Sequence, residues 1–186
     1  MARHSRSSGR TCSVPRCGSG PQLQKQAAVV WNCGVESSRQ LINQATATNV
    51  DENDLLDDAI NHGDADDDAD PDERGGTSPD TRQSLLARHS VSSSLQEPTL
   101  ENITQAVAET KGVISSQDVS GLWGVNYSGG HAVVTTGVEY NADGTLKSVI
   151  INDTGEGRGS RAVLASRYQR SLTTDAPLSV TDDPIW

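Results

Sequence analysis

Residues 131–153, "HAVVTTGVEYNADGTLKSVIIND", give the strongest indication of the fold class. Two runs rich in β-branched residues flank "NADG", and that arrangement is typical of a β-hairpin. The segments before it show helical periodicity instead. Helices followed by a hairpin-led sheet predict an α+β domain, with N-terminal helices packed on an antiparallel sheet.

The longest helical pattern begins at a cysteine. In "CGVESSRQLINQATA" the spacing of Val35, Leu41 and Ile42 predicts a helix over about 33–47. Capping residues and periodicity predict three further helices. These lie in "NVDENDLLDDAINHG" with Asp51 as N-cap, in "RQSLLARH" from Arg82, and in "TLENITQAVAETKG" with Thr99 as N-cap.

Composition and charge divide the chain of 186 residues. The Ser-, Arg- and Gly-rich residues 1–21 predict a disordered basic tail, and the low-complexity acidic run predicts a disordered insert at about 62–82. One domain is expected over 22–170, and 171–186 is expected to be a C-terminal tail. The net charge of −10 argues against nucleic acid as a partner, since phosphate contacts need clustered Lys and Arg.

The acidic insert does not predict a metal site. Its alternating aspartates begin at Asp64, but an EF-hand that starts there needs Gly and Glu where the chain has Ala69 and Gly75. We therefore expect no metal, and nothing in the sequence calls for a cofactor.

No targeting or membrane-spanning segment is recognisable in the sequence. No apolar run is long enough for a transmembrane helix, and the basic first 25 residues lack the apolar region of a Sec signal peptide. We expect neither feature, and the location of the protein is left open.

Cys33 is the candidate nucleophile among three cysteines. A helix N-terminus favours a thiolate, and its free N–H groups can bind the oxyanion of a tetrahedral intermediate. A buried packing role is the alternative, because cysteine is among the most buried residue types. Cys12 and Cys17 lie in the tail, and the odd count does not indicate a secreted disulfide framework.

The register of the hairpin selects a base for this thiol. His131 follows "SGG" and opens the first strand. If the hairpin turns at residues 141–144, paired residues have numbers that sum to about 284–286, which puts His131 opposite residues 153–155. Successive strand residues face opposite sides, so only one of Asn152 and Asp153 can share the face of the imidazole.

These segments, "NCGVESSRQLI" and "LWGVNYSGGHAVVTTGVEYNADGTLKSVIINDTGEG", resemble the papain-like cysteine peptidase superfamily. The resemblance covers about 23–165 and is strongest to bacteriocin-processing peptidase domains and papain-like bacterial toxin domains. It implies that Cys33 is the nucleophile, His131 the general base and acid, and Asp153 the orienting carboxylate, with Asn152 as the alternative orienter. The oxyanion-hole glutamine of the family would fall at Ala27. The nearby glutamines are Gln26, one residue earlier, and Gln24, three residues earlier, and we assign the role to Gln26.

The implied function is a thiol-dependent hydrolase that cleaves an amide or peptide bond in a protein or peptide substrate, in the setting of a bacterial effector or toxin. The resemblance extends to a cognate inhibitor or immunity protein as partner and to export by a specialised secretion system. Two alternatives stay open at this point. One is a glutamine deamidase or acyltransferase with the same triad, and the other is a non-catalytic binding or adaptor module whose acidic insert docks a basic partner.

Overall fold

The computed structural model describes residues 32–68, 74–126, 129–154 and 158–186. A six-stranded sheet in the order β1-β6-β2-β3-β4-β5 forms its centre, and every neighbouring pair is antiparallel. The strands are β1 Ser93–Gln96, β2 Lys111–Asp118, β3 Gly130–Tyr140, β4 Leu146–Asp153, β5 Arg158–Leu164 and β6 Leu178–Pro184. The expected α+β class is confirmed.

The predicted hairpin is formed by β3 and β4. Near its open end Val134 pairs with Asn152, and beyond an irregularity Val138 pairs with Val149. The numbers of paired residues sum to 286 near the site, to 287 from Gly137 to Glu139, and to 286 again at Tyr140 beside the turn. The open end lies at the upper limit of the predicted register, and two irregularities shift the pairing by one residue in between.

The helices begin largely where the capping residues predict. They are α1 Cys33–Thr46, α2 Glu52–Asn61, α3 Pro79–Arg88, α4 Leu100–Ala108, α5 Val119–Trp123 and α6 Ala165–Ser171. The Asp51 side chain accepts hydrogen bonds from two backbone N–H groups of α2, and Thr99 accepts one from α4. Ser78 forms a capping box with Thr81 at the start of α3, three residues before the predicted start at Arg82.

Helices cover both faces of the sheet. On one face, α1, α2 and α3 enclose an apolar core whose strand residues include Ile114, Ala132 and Val134. On the other face, α4, α5 and α6 pack over a second core that includes Val113, Val133 and Ile151. The alternation of side chains along β2 and β3 divides these residues between the two cores. The first layer matches the expected packing of N-terminal helices on the sheet, and the second layer was not anticipated.

The C-terminal segment is not a tail. Strand β6 lies between β1 and β2, and its Leu178 and Val180 are fully buried. The prediction of a tail at 171–186 is therefore wrong. The reason is that the short apolar alternation in "LSVT" has a buried place beside β2, where Val113 pairs with Val180.

The predicted acidic insert at about 62–82 is ordered on both sides of 69–73. Asp66 and Gly75 are close, because the Gly75 N–H donates to the Asp66 carbonyl and the Asp66 N–H donates to Gly76. Helix α3 already begins at Pro79. Disorder over the whole insert is therefore a wrong prediction, and residues 69–73, like the basic tail at 1–21, lie outside the described residues.

Candidate active site

Cys33 is the first residue of α1, and its thiol is half-buried at the end of the sheet where β3 begins. The backbone N–H of Ala132 donates to its Sγ at 3.3 Å. One helical turn later, the Ser37 hydroxyl donates to the carbonyl of the same Ala132 at 3.2 Å. Residues four apart lie on one helix face, so these two bonds hold the start of α1 against β3.

His131 and Asp153 meet at the same end of the sheet. His131 Nε2 lies 2.8 Å from Asp153 Oδ1, and the Asp153 side chain is fully buried while that of His131 is 11% exposed. The imidazole and the Cys33 sulfur each shift the pKa of the other, and with Nε2 held by the carboxylate, Nδ1 is the ring nitrogen left for the sulfur. The structure thus brings the three predicted residues together at one end of the sheet.

Asn152 points to the other side of β4. Its Nδ2 donates to Gln40 Oε1 of α1 at 3.0 Å, and its Oδ1 accepts from the Ser160 N–H at 2.9 Å. Neighbouring strand residues face opposite sides, which separates its surroundings from those of Asp153. The geometry places Asp153, rather than Asn152, beside the imidazole.

The electrostatics of the site favour an ion pair between sulfur and imidazole. Burial would raise the pKa of the Cys33 thiol, but the hydrogen bond and charge of His131, the Ala132 N–H and the charge of Arg82 together hold it below its ordinary value. Burial would likewise lower the pKa of His131. Its hydrogen bonds with Asp153 and Cys33, together with their negative charges, raise it to about 10 instead. At neutral pH His131 is therefore an imidazolium, and its charge favours the thiolate form of Cys33.

The start of α1 also offers hydrogen-bond donors. Glu36 is the first residue whose N–H bonds back along the helix, to the Asn32 carbonyl at 2.9 Å. The N–H groups of Cys33, Gly34 and Val35 precede it and have no partner within the helix. Such groups can stabilise an oxyanion next to the sulfur. Gln26, the predicted side-chain contributor to the same hole, lies outside the described residues, as do Cys12 and Cys17.

The segment that follows the acidic run packs on the start of α1. Gly75 has Asn32 in close approach, and a Cβ added to Gly34 would lie only 1.8 Å from Thr77 Oγ1. Residues on both sides of Cys33 are therefore in contact with 75–77. Glycine therefore suits position 34, because the Cβ of any larger side chain would press on Thr77.

Sequence reasoning overlooked Arg82 in α3. Its side chain is 2% exposed, and its Nη2 donates to Ser116 Oγ at 3.0 Å. Ser116 pairs with Ala132, the residue whose N–H contacts Cys33. The available signal was helical spacing, since an arginine three and four residues before the buried Leu85 and Leu86 lies on their apolar face.

The described residues contain neither a candidate metal cluster nor a candidate membrane-spanning helix. No group of three or more His, Cys, Asp or Glu side chains there is placed to hold a metal ion. None of the helices within 32–68, 74–126, 129–154 and 158–186 combines the length and apolar character needed to cross a membrane.

Comparison with known proteins supports the fold. No protein-family model and no curated protein sequence matches this chain. Among solved structures, it is similar to a crystal structure described as that of a putative C39-like peptidase from Bacillus anthracis. The TM-score is 0.62 at 14% identity, over 89% of this chain and 96% of that one. The chain therefore has the fold of that C39-like protein, an α+β architecture with helices on an antiparallel sheet.

Proposed function

We propose that this protein is a cysteine peptidase or a related thiol amidohydrolase. The observation that carries the proposal is the His131–Asp153 hydrogen bond beside Cys33, whose sulfur interacts with the imidazole and lies at the start of a helix. A nucleophile, a base within reach and a group that orients the base are the three parts that nucleophilic amide hydrolysis needs. The likeness to a C39-like protein supports the same kind of function.

In the proposed mechanism, the Cys33 thiolate attacks the carbonyl carbon of the substrate amide. The N–H groups at the start of α1 that have no partner within the helix stabilise the oxyanion, with Gln26 as the further donor assigned from the resemblance. His131 then protonates the leaving amine, and the amine departs as the carbonyl re-forms into a thioester. A water molecule, deprotonated by His131, attacks this thioester and releases the acid and the free thiol.

Asp153 keeps His131 in the tautomer and orientation that the mechanism requires. Its Oδ1 accepts from Nε2, so Nδ1 faces the sulfur, and its negative charge stabilises the imidazolium. Gly130, which precedes His131, is exposed, and a Cβ there would meet nothing within 4 Å. That open space beside the imidazole suits the approach of an extended substrate backbone.

The first test measures the reactivity of the Cys33 thiol. With Cys12 and Cys17 both changed to Ser, Cys33 is the sole thiol of the chain. We expect iodoacetamide to modify it at neutral pH at least about tenfold faster than the same chain unfolded in urea, because an ordinary thiol is only a few per cent ionised there. His131→Ala should remove most of that advantage. Equal rates for the folded and unfolded chains would contradict the proposal.

The second test distinguishes peptide cleavage from glutamine deamidation. Wild-type protein and Cys33→Ala are incubated with bacterial and host lysates, and mass spectrometry records new peptide termini and deamidated glutamines. New termini that need Cys33 indicate a peptidase, and deamidation that needs Cys33 indicates the alternative amidohydrolase. Identical profiles for the two proteins would exclude both reactions on those substrates and favour the adaptor alternative. The effector or toxin role and the immunity-type partner stay predictions from the resemblance.

A further inference from the structure

Arg82 is a buried cation without a carboxylate partner among the residues that the structure describes. Its side chain is 2% exposed, and none of the ion pairs formed within the described ranges includes it. Its Nε is buried and has no hydrogen-bond partner, while Nη2 donates to the Ser116 hydroxyl. A buried charge with one neutral hydrogen bond is costly, and natural cores rarely keep one without a compensating anion.

The position of Arg82 in the fold leads to the candidate nucleophile. Ser116 on β2 is directly paired with Ala132 on β3, and the two side chains share the face covered by α1 and α3. Ala132 in turn donates its N–H to Cys33 Sγ at 3.3 Å. The guanidinium therefore lies one cross-strand neighbour away from the residue that holds the sulfur.

Most of the charged side chains on the elements around Cys33 are engaged with other partners. On α1, Glu36 and Arg39 form a buried bidentate pair with contacts of 2.5 and 2.8 Å, so their charges largely cancel. On β3 and β4, His131 is paired with Asp153. Glu52 of α2 accepts a hydrogen bond from Asn32 at 2.8 Å.

Arg82 of α3 is the remaining charge that acts on Cys33. The interaction is mutual. Burial lowers the pKa of Arg82 to about 10, and the Cys33 thiolate is the one group that opposes this. Arg82 is thus still protonated at neutral pH.

We propose that Arg82 is a positioning residue that stabilises the Cys33 thiolate as a second cation beside His131. The inference rests on the proposed function, because the thiolate matters only if Cys33 is a nucleophile. It explains why a helix position with two buried leucines on the same face carries an arginine, where packing alone would favour an apolar side chain. It also gives the segment that leads from the acidic run into α3 a role at the site.

The test compares the pH dependence of Cys33 alkylation in four proteins, all lacking Cys12 and Cys17. These are the otherwise unchanged protein, Arg82→Met, Arg82→Lys and the control Arg88→Met. Arg82→Met keeps the length of the side chain and removes its charge, and Arg82→Lys keeps the charge. Arg88 lies on the same helix but is paired with Asp58 and Asp64, away from the sulfur.

We expect Arg82→Met to move the midpoint of the alkylation profile to higher pH and to lower the rate at neutral pH by about tenfold, since a nearby opposite charge shifts an acid by that order. Arg82→Lys should stay within about threefold of the parent, and Arg88→Met should leave the profile unchanged even though it loses two ion pairs. Because Arg82→Met removes a buried charge that has no carboxylate partner among the described residues, its melting temperature should not fall. If it fails to fold, Arg82→Gln, which is neutral and still carries an amide donor for Ser116, serves for the same comparison.

The outcomes separate this inference from the proposed function. If the parent thiol is fast and Arg82→Met has the same profile, Arg82 is a packing residue, and the inference is overturned while the proposed function stands. A lowered melting temperature with an unchanged profile leads to the same conclusion. If the parent thiol reacts no faster than the unfolded chain, the proposed function fails, and the inference fails with it.

Discussion

Gly34→Ala is a change for which local and tertiary effects predict opposite results. Gly34 is the second residue of α1, where alanine is the better helix former by up to about 1 kcal/mol. Local propensity alone therefore predicts a more stable protein. The packing of Thr77 on the start of the helix predicts the reverse.

The magnitude follows from three distances. The new Cβ would lie 1.8 Å from Thr77 Oγ1, 3.1 Å from its Cβ and 3.3 Å from its Cγ2, whereas ordinary contacts start at 3.4 Å. Rotation of the Thr77 side chain can remove the first collision but not the second, so the backbone near Thr77 must also move. Overpacking of this kind costs about 1–3 kcal/mol, which exceeds the gain in helix propensity. We expect a net loss of about 1–2 kcal/mol, or a melting temperature lowered by about 2–8 °C.

The assay is thermal unfolding followed by circular dichroism, with urea unfolding as a second measurement. Gly34→Ala combined with Thr77→Ala should recover most of the loss, because only the contact at 3.1 Å then remains. Gly137→Ala is the matched control, since a Cβ there meets Ile150 at an ordinary 3.6 Å. If Gly34→Ala raised the melting temperature, Thr77 would not be packed against α1, and the reasoning would be refuted.

Three further predictions concern the site and the core. The NMR signals of the His131 imidazole should titrate near pH 10, and Cys33→Ala should lower that midpoint because it removes the thiolate. Activity should fall as the pH rises through about 10, because the imidazolium then loses its proton. A His131 midpoint near the ordinary value would contradict the ion pair. Asp153→Asn should slow Cys33 alkylation at neutral pH by about tenfold or more, because the imidazolium loses its anion. The control Asn152→Ala should leave the rate nearly unchanged. Equal effects of the two changes would argue against Asp153 as orienter. Tyr168→Phe should lower the free energy of unfolding in urea by about 1–3 kcal/mol, since the buried Thr135 hydroxyl loses its partner at 3.0 Å. The alkylation rate of Cys33 should not change. An unchanged free energy of unfolding would mean that the Thr135 hydroxyl finds another partner.

Much of the candidate site was accessible from local sequence patterns. Helical spacing and a cysteine at the first position predicted α1, and the turn "NADG" predicted the register that brings His131 and Asp153 to one end of the sheet. These signals act over a few residues of chain, so composition elsewhere does not obscure them. The alternation of strand side chains showed that only one of Asn152 and Asp153 can face the imidazole, and the resemblance favoured Asp153.

Other features of the site depended on contacts between distant segments. Arg82 is 49 residues from Cys33 in the chain, and nothing near it in sequence shows that β2 and α3 enclose its side chain. The packing of Thr77 on Gly34 likewise joins a segment that reads as low-complexity to a helix far away.

Local patterns in the sequence predicted α1 to α4 and the hairpin that brings His131 near Asn152 and Asp153, because periodicity, capping and strand register are short-range effects. The choice of Cys33, His131 and Asp153 as a set came from the resemblance. The place of "LSVT" near the C-terminus in an inner strand depends on tertiary structure, because Val180 pairs with Val113, which lies far earlier in the chain. The tertiary fold also buries the Arg82 guanidinium beside Ser116, the cross-strand partner of Ala132. Burial and long-range pairing depend on the whole assembled sheet, and no local pattern contains that information.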